Sequence, residues 1–183
     1  MTFTTSRPMD DGATLEAISD LAARSVGLMA TGTRDDFDSI YHPEFRNREA
    51  SVEPPETRGR GPAAAWATAQ WLRGAYADLA WTIGDVLSRD ELVMVSATMS
   101  GRHAGPVTFY GADGRVERVF PATGREFAVE QVHFCRLSAG LVIEHWAVRD
   151  DLGQATQLGW IPPTPGYLWR CSRATRRARR AGR

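Results

Sequence analysis

Residues 126–151 read EFAVEQVHFCRLSAGLVIEHWAVRDD, and this stretch decides the fold of the chain. Apolar and polar residues alternate through 126–137 and again through 141–149, which predicts two β-strands. Residues 138–140 between them are expected to form a bulged hairpin turn, with Gly140 in the left-handed conformation. The centre of the predicted sheet is therefore an antiparallel pair of strands.

The register of this hairpin decides which side chains meet. A three-residue turn places His133 opposite His145 and puts Phe134 on the side of Asp150, whereas a slip of one residue would bring Gln131 round to Asp150. We favour the first register because a glycine at the end of the turn suits the bulge. Alternation along the second strand then separates two sets of side chains, Glu144, Trp146, Val148 and Asp150 on one face and His145 and Arg149 on the other.

Upstream of the hairpin, apolar residues recur at three- and four-residue steps and predict three helices. The first carries apolar residues from Leu15 to Met29 and ends at residues 31–32, and the second begins after a cap at Thr33 and stops at residues 42–43. The third begins at Pro62 and runs to about Asp78. From there the period changes to two. Three helices followed by at least four strands predict an α+β fold, with the helices packed on a strongly curved mixed or antiparallel sheet.

Length and charge divide the chain into one domain and a tail. The 183 residues are enough for a single domain over 13–169, preceded by a flexible N-terminus over 1–12. Residues 1–169 hold 15 Arg and 22 acidic residues, whereas residues 170–183 hold seven Arg and no acid. An acidic body has no broad basic face for nucleic acid, so only this tail, which is expected to be solvated, offers one. The chain contains no Lys, which excludes Schiff-base and Lys-base chemistry.

Cysteine and histidine spacing argues against a metal or disulfide framework. Cys135 and Cys171 have no CxxC spacing, and the histidines show neither His-x-His nor His-x-x-x-His. Two unpaired cysteines fit a reducing cytoplasm. The first 11 residues have no apolar run, and no uncharged stretch approaches the length of a membrane span. We therefore expect a soluble, cytoplasmic protein without a metal site.

Asp150 is the candidate general base of the sequence. Beside Trp146 and Phe134 at a strand end, its carboxylate would lie in an apolar wall, and desolvation would raise its pKa toward neutrality. The alternative interpretation is that Asp150 caps a turn at residues 152–153 or pairs with an Arg. Histidines in strands are also commonly satisfied by backbone carbonyls, and the many aromatic side chains either form the core or stack on a planar ligand.

An ordered series of motifs runs through the second half of the chain. In order they are 101–105 (GRHAG), 121–125 (PATGR), 133–136 (HFCR), 144–146 (EHW) with Asp150, and 157–159 (QLG). Upstream, 41–45 (YHPEF) and 47–49 (NRE) lie in matching places. The series covers about residues 30–165 and resembles the SnoaL-like polyketide (ester) cyclase family of the nuclear-transport-factor-like superfamily.

This resemblance implies a cone-shaped α+β barrel around a deep cavity, usually in a homodimer or higher oligomer, and chemistry without cofactor or metal. In that family an aspartate deprotonates an activated methylene of an aromatic polyketide methyl ester, and the carbanion attacks a ketone in an intramolecular aldol condensation. The Trp-x-x-x-Asp motif assigns this role to Asp150, with Asp151 left open. The remaining expected roles are proton donation by His103 and His133, stacking by Trp146, Trp66 and Phe134, and polar anchoring by Asn47 and Gln131.

Two other function classes stay open on the sequence. The same cone fold serves non-catalytic binding of a flat apolar ligand, and it serves hydroxylases and epoxide hydrolases. An epoxide hydrolase with an Asp-Arg-Asp triad would use Arg149 and Asp150. Strand alternation argues against that triad, because neighbouring residues of a strand point to opposite faces.

Overall fold

The computed structural model describes residues 11–182, with side chains from residue 15. The helices are α1 (Asp11–Thr31), α2 (Arg34–Ile40), α3 (Pro62–Ala75), α4 (Asp151–Gln157) and α5 (Pro165–Ala181). The strands are β1 (Tyr41–Asn47), β2 (Tyr76–Arg89), β3 (Leu92–His103), β4 (Val107–Tyr110), β5 (Val116–Phe120), β6 (Glu126–Ser138) and β7 (Leu141–Arg149). Of the flexible N-terminus expected at 1–12, residues 1–10 lie outside the described residues, and α1 begins at Asp11.

One five-stranded sheet organises the fold. Its order is β1-β7-β6-β3-β2, with β1 parallel to β7 and the other neighbours antiparallel, and β4 and β5 form a separate hairpin. Strand β2 shifts register between Ala77 and Ala80 and again between Ile83 and Val86. Such bulges bend a strand and increase its twist, so this long edge strand curves over the helices. The predicted α+β fold, three N-terminal helices on a curved mixed sheet, is confirmed.

Helix boundaries follow the local signals in part. Thr33 caps α2 in a reciprocal capping box with Asp36, as its position predicts. Residues 42–43, expected to stop a helix, instead lie inside β1. Helix α3 ends at Ala75, three residues before the predicted end, because Tyr76 already pairs with His103 in the sheet. Sheet pairing therefore overrides the helical pattern at this junction.

The β6–β7 hairpin has a tighter turn than predicted. Ser138 pairs with Leu141, so Ala139 and Gly140 alone form the turn, and both have positive φ. A bulge then shifts the register between Arg136 and Leu137, which leaves His133 opposite Ala147 rather than His145. The predicted pairing is wrong: beside the turn the strands pair one residue out of the expected register, and beyond the bulge they are two residues out of it. The division into faces is nevertheless the expected one, because the shift is by an even number of residues.

The helices cover one face of the sheet with two clusters of buried side chains. The first cluster joins α1, α2, β1 and α3 to β3 and β6, with Phe37, Tyr41 and Phe45 among its largest members. The second lies at the other end of the cone, where Tyr76, Phe127 and Leu158 pack beneath β4 and β5. Alternate residues of β6, from Phe127 to Leu137, point into these clusters. The inner face of the sheet is thus the odd-numbered face of β6.

The arginine-rich segment is part of an ordered helix. Helix α5 crosses the boundary expected at residue 169 and packs on β5. Tyr167 is buried, Thr175 accepts a hydrogen bond from the backbone of Val119, and Arg179 donates to the carbonyl oxygens of Val116 and Glu117. Residues 170–181 therefore continue a packed helix, and their six arginines remain exposed, as expected of a solvated segment. None of the helices over residues 11–182 is long and apolar enough to cross a membrane.

Candidate functional site

Two adjoining cavities lie between the helices and the inner face of the sheet. The inner cavity, of about 70 Å³, is bounded by α1, β1 and α3 on one side and by β6 and β7 on the other. The outer cavity, of about 410 Å³, opens beside the β4–β5 hairpin and α4. They share five lining residues, Trp71, Leu72, Met99, Gln131 and Arg149. The outer volume falls within the range of small-molecule sites, and the inner cavity extends it by a space for one functional group.

A hydrogen-bonded chain of neutral groups forms one wall of the inner cavity. The Nε1–H of Trp81 donates to Oε1 of Gln131 at 3.1 Å, so this oxygen is an acceptor. The Nε2 of His133, 3.0 Å from the same oxygen, must then donate to it. The remaining Nδ1 of His133 accepts from Nε2 of His145 at 3.0 Å. Strand alternation on β6 and the neighbouring β7 places these side chains on one face.

Burial keeps this histidine pair uncharged. Desolvation, with the nearby Arg149 cation, lowers the pKa of His133 to about 4. Desolvation, His133 and Arg149 together lower the pKa of His145 to about 3. Both imidazoles are therefore neutral at pH 7, and each can donate one N–H without carrying charge.

A single buried carboxylate faces the same cavity. Glu53 is 4% exposed and lines the inner cavity with Asn47 and Thr68. The Thr68 hydroxyl donates to Oε2 of Glu53 at 2.8 Å, and the Asn47 amide donates to Oε1 at 3.4 Å. Desolvation raises the pKa of Glu53, although the Thr68 hydrogen bond and the Arg149 charge partly counter this effect.

Arg149 supplies positive charge where the two cavities meet. It is the last residue of β7, its side chain is 34% exposed, and it lines both cavities. Its guanidinium lies 3.5 Å from Glu49 and 3.3 Å from Asp151. A fixed cation held between two carboxylates can stabilise an oxyanion that forms beside it. Between residues 15 and 182, no three His, Cys, Asp or Glu side chains are arranged to share a metal ion.

Three of the predicted site residues line the inner cavity. Asn47 enters from the end of β1, and Gln131 and His133 enter from β6. The side-chain oxygen Oδ1 of Asn47 accepts from the backbone N–H of Glu49 at 3.0 Å. This contact turns the side-chain NH₂ group of Asn47 toward Glu53. The structure thus brings these three side chains together, and their contacts with a substrate stay predictions.

Asp150 lies outside both cavities, and the apolar wall predicted around it is not there. It is exposed, and its carboxylate accepts the backbone N–H of Gly153 at 2.7 Å as the N-cap of α4. This is the alternative interpretation that the sequence left open. The reason is alternation: Asp150 continues the face of Trp146 and Val148, whereas the helices cover the face of His145 and Arg149. Its neighbour Asp151 lines the outer cavity.

The other predicted contacts also lie elsewhere. Phe134 and Trp146 stack on each other on the uncovered face of the sheet, with Arg48 over the indole. Trp66 packs edge-on against Phe37 in the first core cluster, beneath Arg73, and lines neither cavity. These three aromatic side chains therefore line neither of the two cavities.

His103 is likewise separated from the cavities. It is fully buried between Tyr76 and Trp160, and its Nδ1 lies 3.2 Å from the Thr123 hydroxyl. Desolvation lowers its pKa. Proton donation to a substrate requires contact with it, and His103 lines neither cavity. We conclude that the predicted donor role does not fit this position.

Sequence reasoning missed several lining residues. Trp71 and Trp81 line the inner cavity, and the aromatic excess of α3 is the signal for the first of them. Glu53 follows a 3₁₀ turn over Ala50–Val52, in a loop where no periodicity distinguishes one acid from another. From the sequence, Arg149 is considered only for an epoxide-hydrolase triad with Asp150 and not for the cyclase site. Arg149 lines the cavities because the helices cover its face of the sheet. The strand period does not predict which face the helices cover.

Comparison with known proteins agrees with this architecture. Residues 19–158 match the model of the SnoaL-like polyketide cyclase family. The chain is 34% identical over 148 residues to the aklanonic acid methyl ester cyclase DnrD of Streptomyces peucetius, covering 80% of this chain and 93% of that one. It is 29% identical over 136 residues to the nogalonic acid methyl ester cyclase of Streptomyces nogalater, covering 73% and 91%.

A solved structure shares the fold. TsrD from Streptomyces laurentii superposes with a TM-score of 0.60 at 26% identity, over 82% of this chain and 98% of that one. The family match spans most of α1, helices α2 to α4, the whole five-stranded sheet and every lining residue of both cavities except Trp160. The resemblance noted in the sequence is confirmed, and this chain belongs to the SnoaL-like polyketide cyclase family.

Proposed function

We propose that this protein closes a ring in an aromatic polyketide methyl ester by intramolecular aldol condensation. One observation carries the proposal: an outer cavity with aromatic walls ends on a buried, polar inner cavity. Trp71, Phe109 and Trp160 offer faces for a flat, multi-ring body. The relatives that act on aklanonic and nogalonic acid methyl esters support this substrate class.

The arrangement favours ring closure by holding two carbons of one molecule in contact. A folded substrate with its rings in the outer cavity would present its reacting carbons to the inner one. Holding the two carbons in contact lowers the activation free energy of an aldol step, because the entropy of bringing them together is already lost on binding. Negative charge that develops on the enolate and alkoxide oxygens would face the Arg149 guanidinium and the amide N–H groups of Asn47. No group outside the chain enters this scheme.

The first experiment is conversion of a panel of anthraquinone-type methyl esters, followed by absorbance. We expect wild-type protein to convert at least one ester, and Asp150→Asn to convert it at the wild-type rate, because Asn caps a helix as well as Asp does. Tryptophan fluorescence measures binding in parallel. Tight binding without conversion in any variant would contradict the cyclase proposal and favour a ligand carrier. Loss of conversion in Asp150→Asn would instead indicate that Asp150 is the general base.

We also propose that the protein forms a homodimer through the uncovered face of its sheet. An outer patch of four apolar side chains, Met94, Phe134, Trp146 and Val148, lies on the β3, β6 and β7 strands there. Val148 is 65% exposed and Met94 is 36% exposed. Contiguous apolar surface of this kind is typical of an interface. The homodimer implied by the family resemblance supports the same assignment.

Val148→Arg is expected to convert the dimer to a monomer. A charge at the centre of an apolar interface must be desolvated without a partner, which costs several kcal/mol. Light scattering after gel filtration measures the mass directly. Leu168→Arg is the matched control, since Leu168 is 52% exposed on α5, which packs on the separate β4–β5 hairpin. A dimer that survives Val148→Arg, or a wild-type monomer, would contradict this use of the outer patch.

A reducing compartment is the proposed location. Both cysteines are free, Cys135 buried and Cys171 half-buried. Desolvation raises the pKa of Cys135 to about 11, which keeps this thiol protonated and unreactive. Two unpaired thiols support the cytoplasmic setting expected from the sequence.

A further inference from the structure

We infer that Glu53 is the general base of the proposed ring closure, an assignment that rests on the proposed function and names the residue that performs its first step. Between residues 15 and 182, Glu53 is the one carboxylate buried from solvent. It lines the inner cavity, where the reacting end of the substrate is expected. No feature of the family motif in β7 points to this residue, because it lies in the loop before α3.

The structure holds this carboxylate in a defined position. The backbone N–H of Glu53 donates to the Ala50 carbonyl at 3.2 Å, which closes the 3₁₀ turn before it. Arg58 donates to the Glu53 carbonyl oxygen at 3.0 Å and also to the carbonyl oxygens of Tyr110 and Ala112. Arg58 therefore ties this loop to the β4–β5 hairpin. Rigid support of this kind keeps a catalytic group at a fixed distance from the substrate.

The hydrogen bonds of Glu53 suit a group that must both lose and regain a proton. Its two oxygens accept from Thr68 and Asn47, which are neutral, and no Arg among the described residues forms a direct ion pair with it. Burial raises the pKa of Glu53 toward the pH at which an enzyme works. The charged or titratable groups that face the inner cavity with it are Glu49 beside β1, Tyr41 on β1, His133 on β6, and His145 and Arg149 on β7.

Each of these other groups is less suited to accept the proton. The lowered pKa values of His133 and His145, about 4 and 3, make both imidazoles weak bases. The Glu49 carboxylate is held by the Arg149 guanidinium at 3.5 Å, so it is directed at this cation rather than at a substrate C–H. In the outer cavity, Asp151 contacts Arg149 at 3.3 Å in the same way. Glu53 combines a cavity position with the absence of a direct cationic partner between residues 15 and 182.

The proposed step balances without a co-reactant. The Glu53 carboxylate takes a proton from the activated methylene of the ester, and the C–H electron pair remains on the substrate as an enolate. The enolate carbon forms a C–C bond to the ketone carbon, and the C=O π pair moves to oxygen as an alkoxide. Glu53, now a carboxylic acid, returns its proton to this alkoxide. The product is an isomer of the substrate, and the residue ends in its starting form.

Glu53→Gln tests the assignment directly. Gln has the same size, and its Oε1 can still accept from Asn47 while its Nε2–H donates to the Thr68 hydroxyl, but it cannot accept a proton. We expect kcat to fall by about 100-fold to 10,000-fold, the usual contribution of a general base, while ligand affinity changes little. The matched control is Glu56→Gln, the same substitution three residues along the same loop at an exposed position. Glu56→Gln is expected to behave as wild type.

Two further measurements separate a base from a structural residue. The wild-type kcat/KM should rise with pH as the Glu53 carboxylate forms, and Glu53→Asp should retain such a rise while Glu53→Gln loses it. In D₂O, NMR reports hydrogen–deuterium exchange at the activated methylene of the panel esters, which needs the base but not ring closure. Unfolding curves for every variant show whether the fold is retained.

The outcomes distinguish this assignment from the proposed function. Exchange by wild type without ring closure, abolished in Glu53→Gln, supports Glu53 and contradicts the cyclase proposal. Ring closure and exchange at wild-type rates in folded Glu53→Gln overturn Glu53 while the cyclase proposal stands. Wild-type protein that supports neither exchange nor closure with any ester that it binds contradicts both.

Discussion

Arg149→Gln is expected to lower kcat for ring closure by about 100-fold, the loss seen when one fixed donor to a developing oxyanion is removed. Among the described residues that line the inner cavity, Arg149 carries the single permanent positive charge. It lies where the inner and outer cavities meet, so the enolate and alkoxide oxygens would form beside it. Absorbance with the substrate panel gives kcat and KM separately, and the loss should appear in kcat.

The pH profile of the same variant provides a second test. Arg149 lowers the pKa values of Glu53, His133 and His145. Removing the cation should therefore raise the pKa of Glu53 further and move the rising limb of kcat/KM to higher pH. A role for Arg149 in packing alone would not move this limb.

Two other substitutions calibrate the Arg149 result. Arg149→Lys keeps the charge but loses the forked geometry that contacts Glu49 and Asp151, so an intermediate kcat is expected. Arg89→Gln is the matched control, because Arg89 is almost fully exposed at the β2–β3 turn. If kcat for Arg149→Gln stays within about threefold of wild type, Arg149 does not supply the transition-state stabilisation expected of an oxyanion partner.

Acid is expected to destabilise the fold through His133. An unfolded histidine binds its proton near pH 6.5, whereas folded His133, which is 7% exposed, stays neutral to about pH 4. The unfolded state therefore binds more protons in this window, and stability rises with pH. The contribution is complete above pH 6.5 and is lost as pH falls toward 4, at a cost of about 3 kcal/mol in the free energy of unfolding.

Glu53 affects the pH dependence of the free energy of unfolding in the opposite sense. Its pKa is raised in the folded state, so the folded state binds more protons than the unfolded state between the two pKa values. Its stabilising contribution is present below the unfolded pKa and is lost as pH rises through the folded pKa. Glu53→Gln removes this contribution, and the loss of stability on acidification should become steeper in that variant.

Urea unfolding from pH 8 to pH 4, followed by tryptophan fluorescence, measures these effects. His133→Gln keeps a donor toward Gln131 but does not titrate, so its free energy of unfolding should change less between pH 6.5 and 4 than that of wild type. His42→Gln, on β1 outside the buried pair, should keep the wild-type pH dependence. An identical pH dependence in His133→Gln and wild type would show that His133 is not the source of the acid sensitivity.

Local patterns in the sequence determined the order of the elements and the sets of residues that share a face. The period of three to four marks α1, α2 and α3, and the period of two marks β6 and β7, because each pattern places apolar side chains on one side. The cap at Thr33 is equally local, since its partner Asp36 is three residues away. Alternation along β6 also groups Gln131 with His133, because residues two apart in a strand share a face.

Tertiary structure alone decided which face of the sheet the helices cover. By apolarity, Trp146 and Val148 would be the buried face of β7, but the helices cover the face of His145 and Arg149. This polar face can be buried because His145 is hydrogen-bonded to His133, and His133 is hydrogen-bonded to Gln131. Strand period distinguishes two faces, but it carries no information about which of them meets the helices.

The position of Glu53 was also beyond the reach of sequence patterns. Its partners Asn47 and Thr68 come from β1 and α3, and they meet it only because 3₁₀ turns fold the intervening loop back over the sheet. The sequence by itself determined a SnoaL-like α+β chain and three of the polar residues of its inner cavity, Asn47, Gln131 and His133. The packing of helices on one face of the sheet decided that Asp150 caps a helix while Glu53 is buried, because burial is set by distant parts of the chain.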